Sequence, residues 1–271
     1  MELKNFGFHY EAPTGDDYLL GGFTNVPHQI LQADGNWINF LPLDELQQRF
    51  GVETNSCVSF GTCNQVEILH LRKFGSIPNY SDRYLSIASE TTPTGNTPNK
   101  VYETARKIAG FIPEELLPFS EDIRTLEEYS QPKPLNKKYY DVGRKWLNRF
   151  DFKHEWITTS PLSLMQGLQY SPLGISVTAW IEDERGFYVR PAGLRDNHWT
   201  LLVGYVENEY WIIYDSYPGS DGKFLKKLAW NFWDAPGSVA KGISLELITR
   251  QSWLEFFFKR FFSRSKSGII V

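Results

Sequence analysis

The sequence predicts an α+β protein of two unlike lobes, and three observations carry that prediction. From Cys57 onward the front half repeats apolar residues at helical spacing. After residue 150 the period shortens and strand-like runs follow one another. Between them, residues 111–134 hold Pro113, Pro118, Pro132 and Pro134 among many acids, which marks a boundary. Helices gathered first and strands gathered later segregate as α+β rather than alternate as α/β. A chain of 271 residues, 41% hydrophobic, suits one large domain or two lobes sharing a cleft. The expected organisation is one domain over 1–250, with a helical lobe at about 50–134 and a β lobe at about 135–250 joined by the N-terminal segment 1–45. A C-terminal tail of 251–271 follows.

In order, residues 1–40 read as short strands and loops, with turn signals at Asp16-Asp17, Gly21-Gly22 and Ala33-Asp34-Gly35-Asn36. Residues 42–49 suit a helical turn and place Gln47 and Gln48 just ahead of the loop 53–61. That loop ends in Cys57 and turns directly into a helix carrying Cys63, Val66, Leu69 and Phe74, stopped by Gly75. Ser81 can cap a second helix with Tyr84, Leu85 and Ile87. Thr97-Pro98 opens a third, with proline at the first helical position and Val101, Ala105, Ile108 and Ala109 as its apolar stripe. A helix over 136–150 is interrupted in propensity by Gly143. Strands are expected at 152–158, 174–180, 187–190, 199–206, 210–215, 224–228 and 243–249, with a short helix from Ser160-Pro161 to Gln169.

Composition removes several function classes. A net charge of −4 does not suit a protein held to nucleic acid by phosphate contacts. The N-terminus lacks a basic start followed by a long apolar run, so no signal peptide is expected. No apolar run approaches the roughly 20 residues of a transmembrane helix. The two cysteines, Cys57 and Cys63, lie roughly 9 Å apart in helical rise, too far for a disulfide. That is compatible with a reducing compartment. Cys57, Cys63 and His70 lack zinc spacing, and Asp215-Ser216 with Asp221-Gly222 lack the calcium-loop pattern. No phosphate-binding glycine loop is seen either, so neither metal nor cofactor is expected. The tail Trp253-Leu254-Glu255-Phe256-Phe257-Phe258-Lys259-Arg260 suits docking to a membrane surface or protein partner, or packing of its phenylalanines on the body. The second is favoured, because one short element anchors weakly.

The residues that carry chemistry are far apart in sequence. A thiol at a helix start meets unpaired N–H groups and the helix dipole, which favour thiolate. Alone, Cys57 is better read as a buried structural thiol. Downstream come Asn197-His198-Trp199 and Tyr210-Trp211-Ile212-Ile213-Tyr214-Asp215-Ser216, which supply a base and an orienting carboxylate in that order. His198 could instead be a core histidine, and Asp215 could begin the turn Asp-Ser-Tyr-Pro-Gly. All three together favour a nucleophile, base and orienter.

In order and spacing this set resembles papain-like cysteine peptidases. Ser56-Cys57-Val58-Ser59-Phe60 resembles that family's nucleophile at the start of a central helix. Asn197-His198 before Leu202-Val203-Gly204-Tyr205 resembles its histidine strand, and 210–216 its third motif. Leu164-Met165-Gln166-Gly167-Leu168-Gln169 ahead of Gly174-Ile175-Ser176-Val177 is similar to its helix and following strand. Cys57 and His198 stand 141 positions apart (57 to 198) and His198 and Asp215 17 apart (198 to 215), both close to the family's gaps. The resemblance covers about 40–250 and implies a two-lobe fold with the site in the cleft. It implies a thiol protease acting on a peptide or protein substrate, with Cys57 as nucleophile, His198 as general base and acid, and Asp215, where the family has asparagine, orienting the imidazole. A pH optimum that depends on Asp215 ionisation is then expected.

The resemblance also asks for an oxyanion-hole glutamine six positions before the cysteine, where Gly51 stands. Gln47 or Gln48 could reach from a longer loop, and Gln47 is chosen. Gly95 and Asn96 fall near the family's glycine-rich strand and are candidates for substrate binding. Val58 and Tyr217-Pro218-Gly219 replace the family's tryptophans, and with only about 50 residues ahead of Cys57 no long inhibitory pro-segment is expected. Two alternatives stay open: an inactive papain-fold binding or virion structural protein, and an amidase of cell-wall peptides. Likeness to proteins of bacterial viruses (bacteriophage) gives an expected cytoplasmic or virion-associated location.

Overall fold

The computed structural model describes residues 4–15, 17–22 and 24–248. The aromatic and basic tail expected at 251–271 and the end of the last expected strand lie outside the described residues. The chain begins with extended segments and a 3-10 turn at Ile38–Phe40, then a two-stranded hairpin, β1 (Gln48–Arg49) and β2 (Val52–Glu53). Helices follow: α1 (Cys57–Phe74), α2 (Asp82–Ala88), α3 (Pro98–Thr104), which continues as a π turn over Ala105–Ala109, α4 (Leu126–Tyr129) and α5 (Lys137–Leu147). Next come β3 (Phe150–Ile157), α6 (Pro161–Leu168), β4 (Leu173–Val177), β5 (His198–Val206), β6 (Tyr210–Tyr214), β7 (Leu225–Ala229) and β8 (Ala240–Leu247). The last six strands form one antiparallel sheet in the order β3-β8-β4-β5-β6-β7.

The helix starts follow the cap chemistry of the sequence. Ser81 accepts from Tyr84 N at 3.0 Å, Thr97 from Lys100 N at 3.3 Å and Ser160 from Ser163 N at 3.3 Å. Each such cap is worth about 1 kcal/mol against alanine. Gly75 ends α1 in the left-handed conformation, with its N–H on the Leu71 carbonyl. From Cys57 to Leu69 every residue of α1 is buried, polar ones included, because the helix lies between the sheet and the helices α2 and α3. Its buried polar groups therefore need partners. Gln65 finds them across the interface, donating to Pro172 O at 2.7 Å and Lys241 O at 3.0 Å.

A single large core runs through both halves. It joins Cys63, Val66 and Leu69 of α1 to Trp156, Ile175, Leu201, Ile213 and Ile243 of the sheet, and takes in Phe8 and Trp37 from the N-terminal segments. Helix α5 packs on the π turn, where Gly143 meets Ala109, and on β3. Two local expectations are overturned. Residues 42–49 hold no helical turn; Phe50 (φ 54°) and Gly51 (φ 79°) instead close the β1–β2 hairpin, the positive-φ pair that a tight hairpin requires. Residues 187–190 form isolated bridges at Tyr188, to Glu182 and Leu228, rather than a strand.

The sheet register gathers three polar side chains at one corner. His198 is the first residue of β5 and faces Val177 of β4. β6 runs antiparallel beside β5, so Asp215, one residue past its end, comes back to the start of β5. Lys226 of β7 pairs with Ile213 of β6, next to the same corner.

Candidate active site

Cys57 is the first residue of α1 and is fully buried. The expectation that the helix start favours its thiolate is not met in this closed arrangement. Burial pushes the thiol pKa well up, hydrogen bonding to the Trp199 backbone pulls it down, and the charges of Asp215 and Glu53 push it up again. Trp199 directly follows His198, so the same interaction brings the sulfur to the start of β5. Cys63, one face further along α1, is a second buried free thiol.

His198 Nε2 lies 2.6 Å from Asp215 Oδ1, with both side chains wholly buried. Its other ring nitrogen, Nδ1, is buried with no hydrogen-bond partner among the described residues. Phe6 and Tyr217 each pack edge-on against the imidazole at 5.5 Å, and Trp180 does so at 5.8 Å. Asp215 Oδ1 also accepts from Ser216 N at 2.8 Å, and Oδ2 takes Lys226 Nζ at 2.8 Å. Burial alone would raise the Asp215 carboxyl; the charges and hydrogen bonds of His198 and Lys226 overcome that and hold it well below the usual carboxylate range. Asp215 is therefore ionised far below neutral pH, and its titration does not set a pH optimum there.

Gln47 is buried at the same corner. Its amide donates to the Phe6 carbonyl at 2.9 Å and to Glu53 Oε1 at 3.0 Å, while its oxygen accepts from Ser216 Oγ at 3.3 Å. The hairpin accounts for the added chain between Gln47 and Cys57: it loops residues 48–53 outward and returns Glu53 beside Gln47. Gln48, the other glutamine of the pair, sits exposed on the hairpin.

Gly95 and Asn96 line a groove that residues 5–9 occupy. Asn96 N donates to Gly7 O and His9 N to Asn96 O, both at 3.0 Å, in a parallel bridge centred on Phe8. Phe6 N donates to Asn197 O at 2.9 Å, and Asn197 Nδ2 to Lys4 O at 2.7 Å. At Gly7 (φ 102°) a Cβ would fall 2.0 Å from Asn55 O, and at Gly95 one would fall 2.0 Å from Gly7 O. Only backbone fits there. Phe8 is buried and stacks on Trp199 with ring centroids 5.9 Å apart. Lys4 pairs with Glu53 at 2.8 Å. The segment reaches the corner that holds His198, where the Phe6 ring packs edge-on against the imidazole at 5.5 Å.

Several residues at this corner escape sequence reasoning. Lys226 looks like one of two exposed lysines in Leu-Lys-Lys-Leu, yet alternation along β7 sends it inward and Lys227 outward. Glu53, which binds Lys4, Gln47 and the Tyr217 hydroxyl, carries no motif. Trp180 and Phe6 reach the imidazole from segments without a local signature.

No protein-family model matches the chain, and no curated protein matches it in sequence. Solved structures do match in shape. Digestive procathepsin L 3 of the Tenebrio molitor larval midgut has a TM-score of 0.54 at 15% identity, over 78% of this chain and 70% of that one. A recombinant stem bromelain precursor has a TM-score of 0.57 at 16% identity, over 82% and 71%. The bromelain protease of Ananas comosus, in complex with the E64 inhibitor, has a TM-score of 0.55 at 15% identity, over 78% and 98%. The fold is thus papain-like, mixed α+β with a helical part and an antiparallel sheet of six strands. Among the described residues no helix is long and apolar enough to cross a membrane.

Proposed function

We propose that this protein is a cysteine-dependent hydrolase of peptide or isopeptide amide bonds, a papain-like thiol protease. The observation that carries the reading is the state of His198: Nε2 is fixed by Asp215 at 2.6 Å and Nδ1 has no hydrogen-bond partner among the described residues. A general base needs one nitrogen oriented and the other available. The backbone next to that imidazole bonds the Cys57 thiol, which puts a nucleophile within its neighbourhood. His198 takes the thiol proton, and the sulfur attacks the amide carbonyl. The C–N bond then breaks as His198 returns the proton to the leaving amine, and water, deprotonated in turn by His198, hydrolyses the thioester. Gln47, which already donates to a peptide carbonyl, and the backbone N–H of Cys57 would stabilise the oxyanion. Gly95 and Asn96 would hold substrate backbone, as they hold residues 7–9.

Residues 5–9 fill the groove without presenting a cleavable bond. The nitrogen that would leave from the Phe6 carbonyl is that of Gly7, and it donates to Asn5 Oδ1 at 2.8 Å. Substrate must displace the segment.

A second reading is an inactive papain-fold binding module, favoured by the complete burial of Cys57 and its raised pKa. Alkylation separates the two. A nucleophile labels at Cys57 near neutral pH once residues 5–9 are displaced, and labelling collapses in His198→Ala. Equal, slow labelling of Cys57 and Cys63 in both proteins supports the binding module. Amides of cell-wall peptides fall within the same chemistry and are tested by turnover on such peptides.

A further inference from the structure

We propose, resting on the hydrolase reading above, that Lys226 is a positioning residue: it neutralises Asp215 so that the aspartate presents His198 with one fixed acceptor and little net charge. The geometry is a buried relay. Lys226 Nζ sits 2.8 Å from Asp215 Oδ2, and Asp215 Oδ1 sits 2.6 Å from His198 Nε2. The three side chains are at most 1% exposed. Lys226 is itself held in place. It donates to the Tyr217 carbonyl, and its ammonium lies 4.9 Å from the Trp180 ring, whose edge-on neighbour is His198.

A buried aspartate with one partner would leave a full negative charge close to both the imidazole and the thiol. Such a charge stabilises imidazolium and opposes thiolate. The second half is visible here, since Asp215 acts to raise the Cys57 pKa. A cation bonded to the far oxygen offsets the charge while leaving the near oxygen free to orient the ring. Asp215 and Lys226 together thus do what a neutral amide would do alone. The other charged and titratable groups at this corner are Cys57 from α1, Tyr217 after β6, and Glu53 of β2, which Lys4 offsets. Lys226 is the cation in contact with Asp215, among the described residues.

The proposal makes opposite demands on two single substitutions and a cancellation on the double. Two readouts on the full chain test it: the pH profile of Cys57 alkylation by iodoacetamide, and the low-field proton resonance of the Nε2–H shared with Asp215. In Lys226→Met the alkylation profile moves to higher pH by about one unit, the usual effect of an uncompensated neighbouring charge. The resonance then moves further downfield. In Asp215→Asn both move the other way, because the lysine is now the unmatched charge. Asp215→Asn with Lys226→Met returns both close to the unsubstituted protein, and Lys226→Arg leaves them there. If Lys226→Met only lowers thermal stability, with profile and resonance unmoved, the lysine is structural and the proposal is wrong. Should Lys226→Met fail to fold, Lys226→Gln takes its place: profile and resonance unmoved in a folded Lys226→Gln overturn the proposal. If the resonance moves as stated while Cys57 alkylates in no variant, the charge pairing stands and the hydrolase reading fails.

Discussion

Gln47 Nε2 donates to the main-chain carbonyl of Phe6 at 2.9 Å, so a side chain proposed to steady a substrate oxyanion already holds a peptide oxygen of its own chain. The same contact ties the N-terminal segment to the corner where His198 and Asp215 meet. A variant that removes the donor and a variant that removes the segment should therefore act differently.

Gln47→Ala should lower kcat on a peptide substrate by about 10²-fold, the usual cost of losing one oxyanion donor. The alkylation rate of Cys57 should fall little, because alkylation develops no oxyanion. Steady-state kinetics beside iodoacetamide labelling checks the split. Equal loss in both would place Gln47 in the packing of the corner instead.

Gly7→Val should expel residues 5–9. The new Cβ would fall 2.0 Å from Asn55 O, and valine disfavours φ 102°. Alkylation of Cys57 should rise by more than about tenfold, as expected when a covering segment opens freely. Removing the cover should also lower the thiol pKa, since burial is the largest cause of its elevation. The onset of labelling should then move to lower pH.

Stability should fall as pH rises through neutrality, on account of a carboxyl cluster away from the site. Burial raises Glu67 and Asp82 well above the ordinary range, and Glu114 to about 7. In the folded protein these groups keep protons that the unfolded chain releases near pH 4 to 5. Their contribution is complete below that range and is lost as pH climbs through their raised folded values, about 7 for Glu114. Asp215 works in the opposite sense: its lowered pKa contributes stability above the usual aspartate range and loses it in acid. Thermal unfolding at pH 5 and pH 8 reads the slope. Glu67→Gln, which keeps an oxygen for the Tyr80 N–H, should flatten it.

Gly143→Ala should destabilise the fold by about 2–3 kcal/mol, the range for an added group with no room. Its Cβ would lie 1.7 Å from Ala109 O and 2.9 Å from the Tyr84 hydroxyl, where α5 meets the π turn. Denaturant unfolding checks this; a change within about 0.5 kcal/mol would mean that α5 shifts freely.

What could be read from sequence was what is local. The span of α1, its stop at Gly75, and the caps at Ser81, Thr97 and Ser160 each depend on a few adjacent residues, and the structure bears them out. Period-two runs located β3 to β8 within a few residues, although 187–190 mimics a strand without pairing as one. The meeting of His198 and Asp215 could be anticipated from motif order. The rest depends on contacts between distant segments. Lys226 reaches Asp215 only because β7 is the neighbour of β6, and no local pattern states that neighbourhood. Phe6 reaches His198 from the other end of the chain. The hairpin that returns Glu53 to Gln47 hides in two positive-φ residues, Phe50 and Gly51, of which the first has the wrong side chain for a turn signal.

The most direct test of the hydrolase reading is mass-resolved alkylation at pH 7 of the Gly7→Val protein, alone and combined with His198→Ala. The expected result is fast modification of Cys57, none of comparable rate at the buried Cys63, and loss of the fast phase when the imidazole is removed. Cys57 and Cys63 reacting at the same slow rate, whether or not His198 is present, would contradict it.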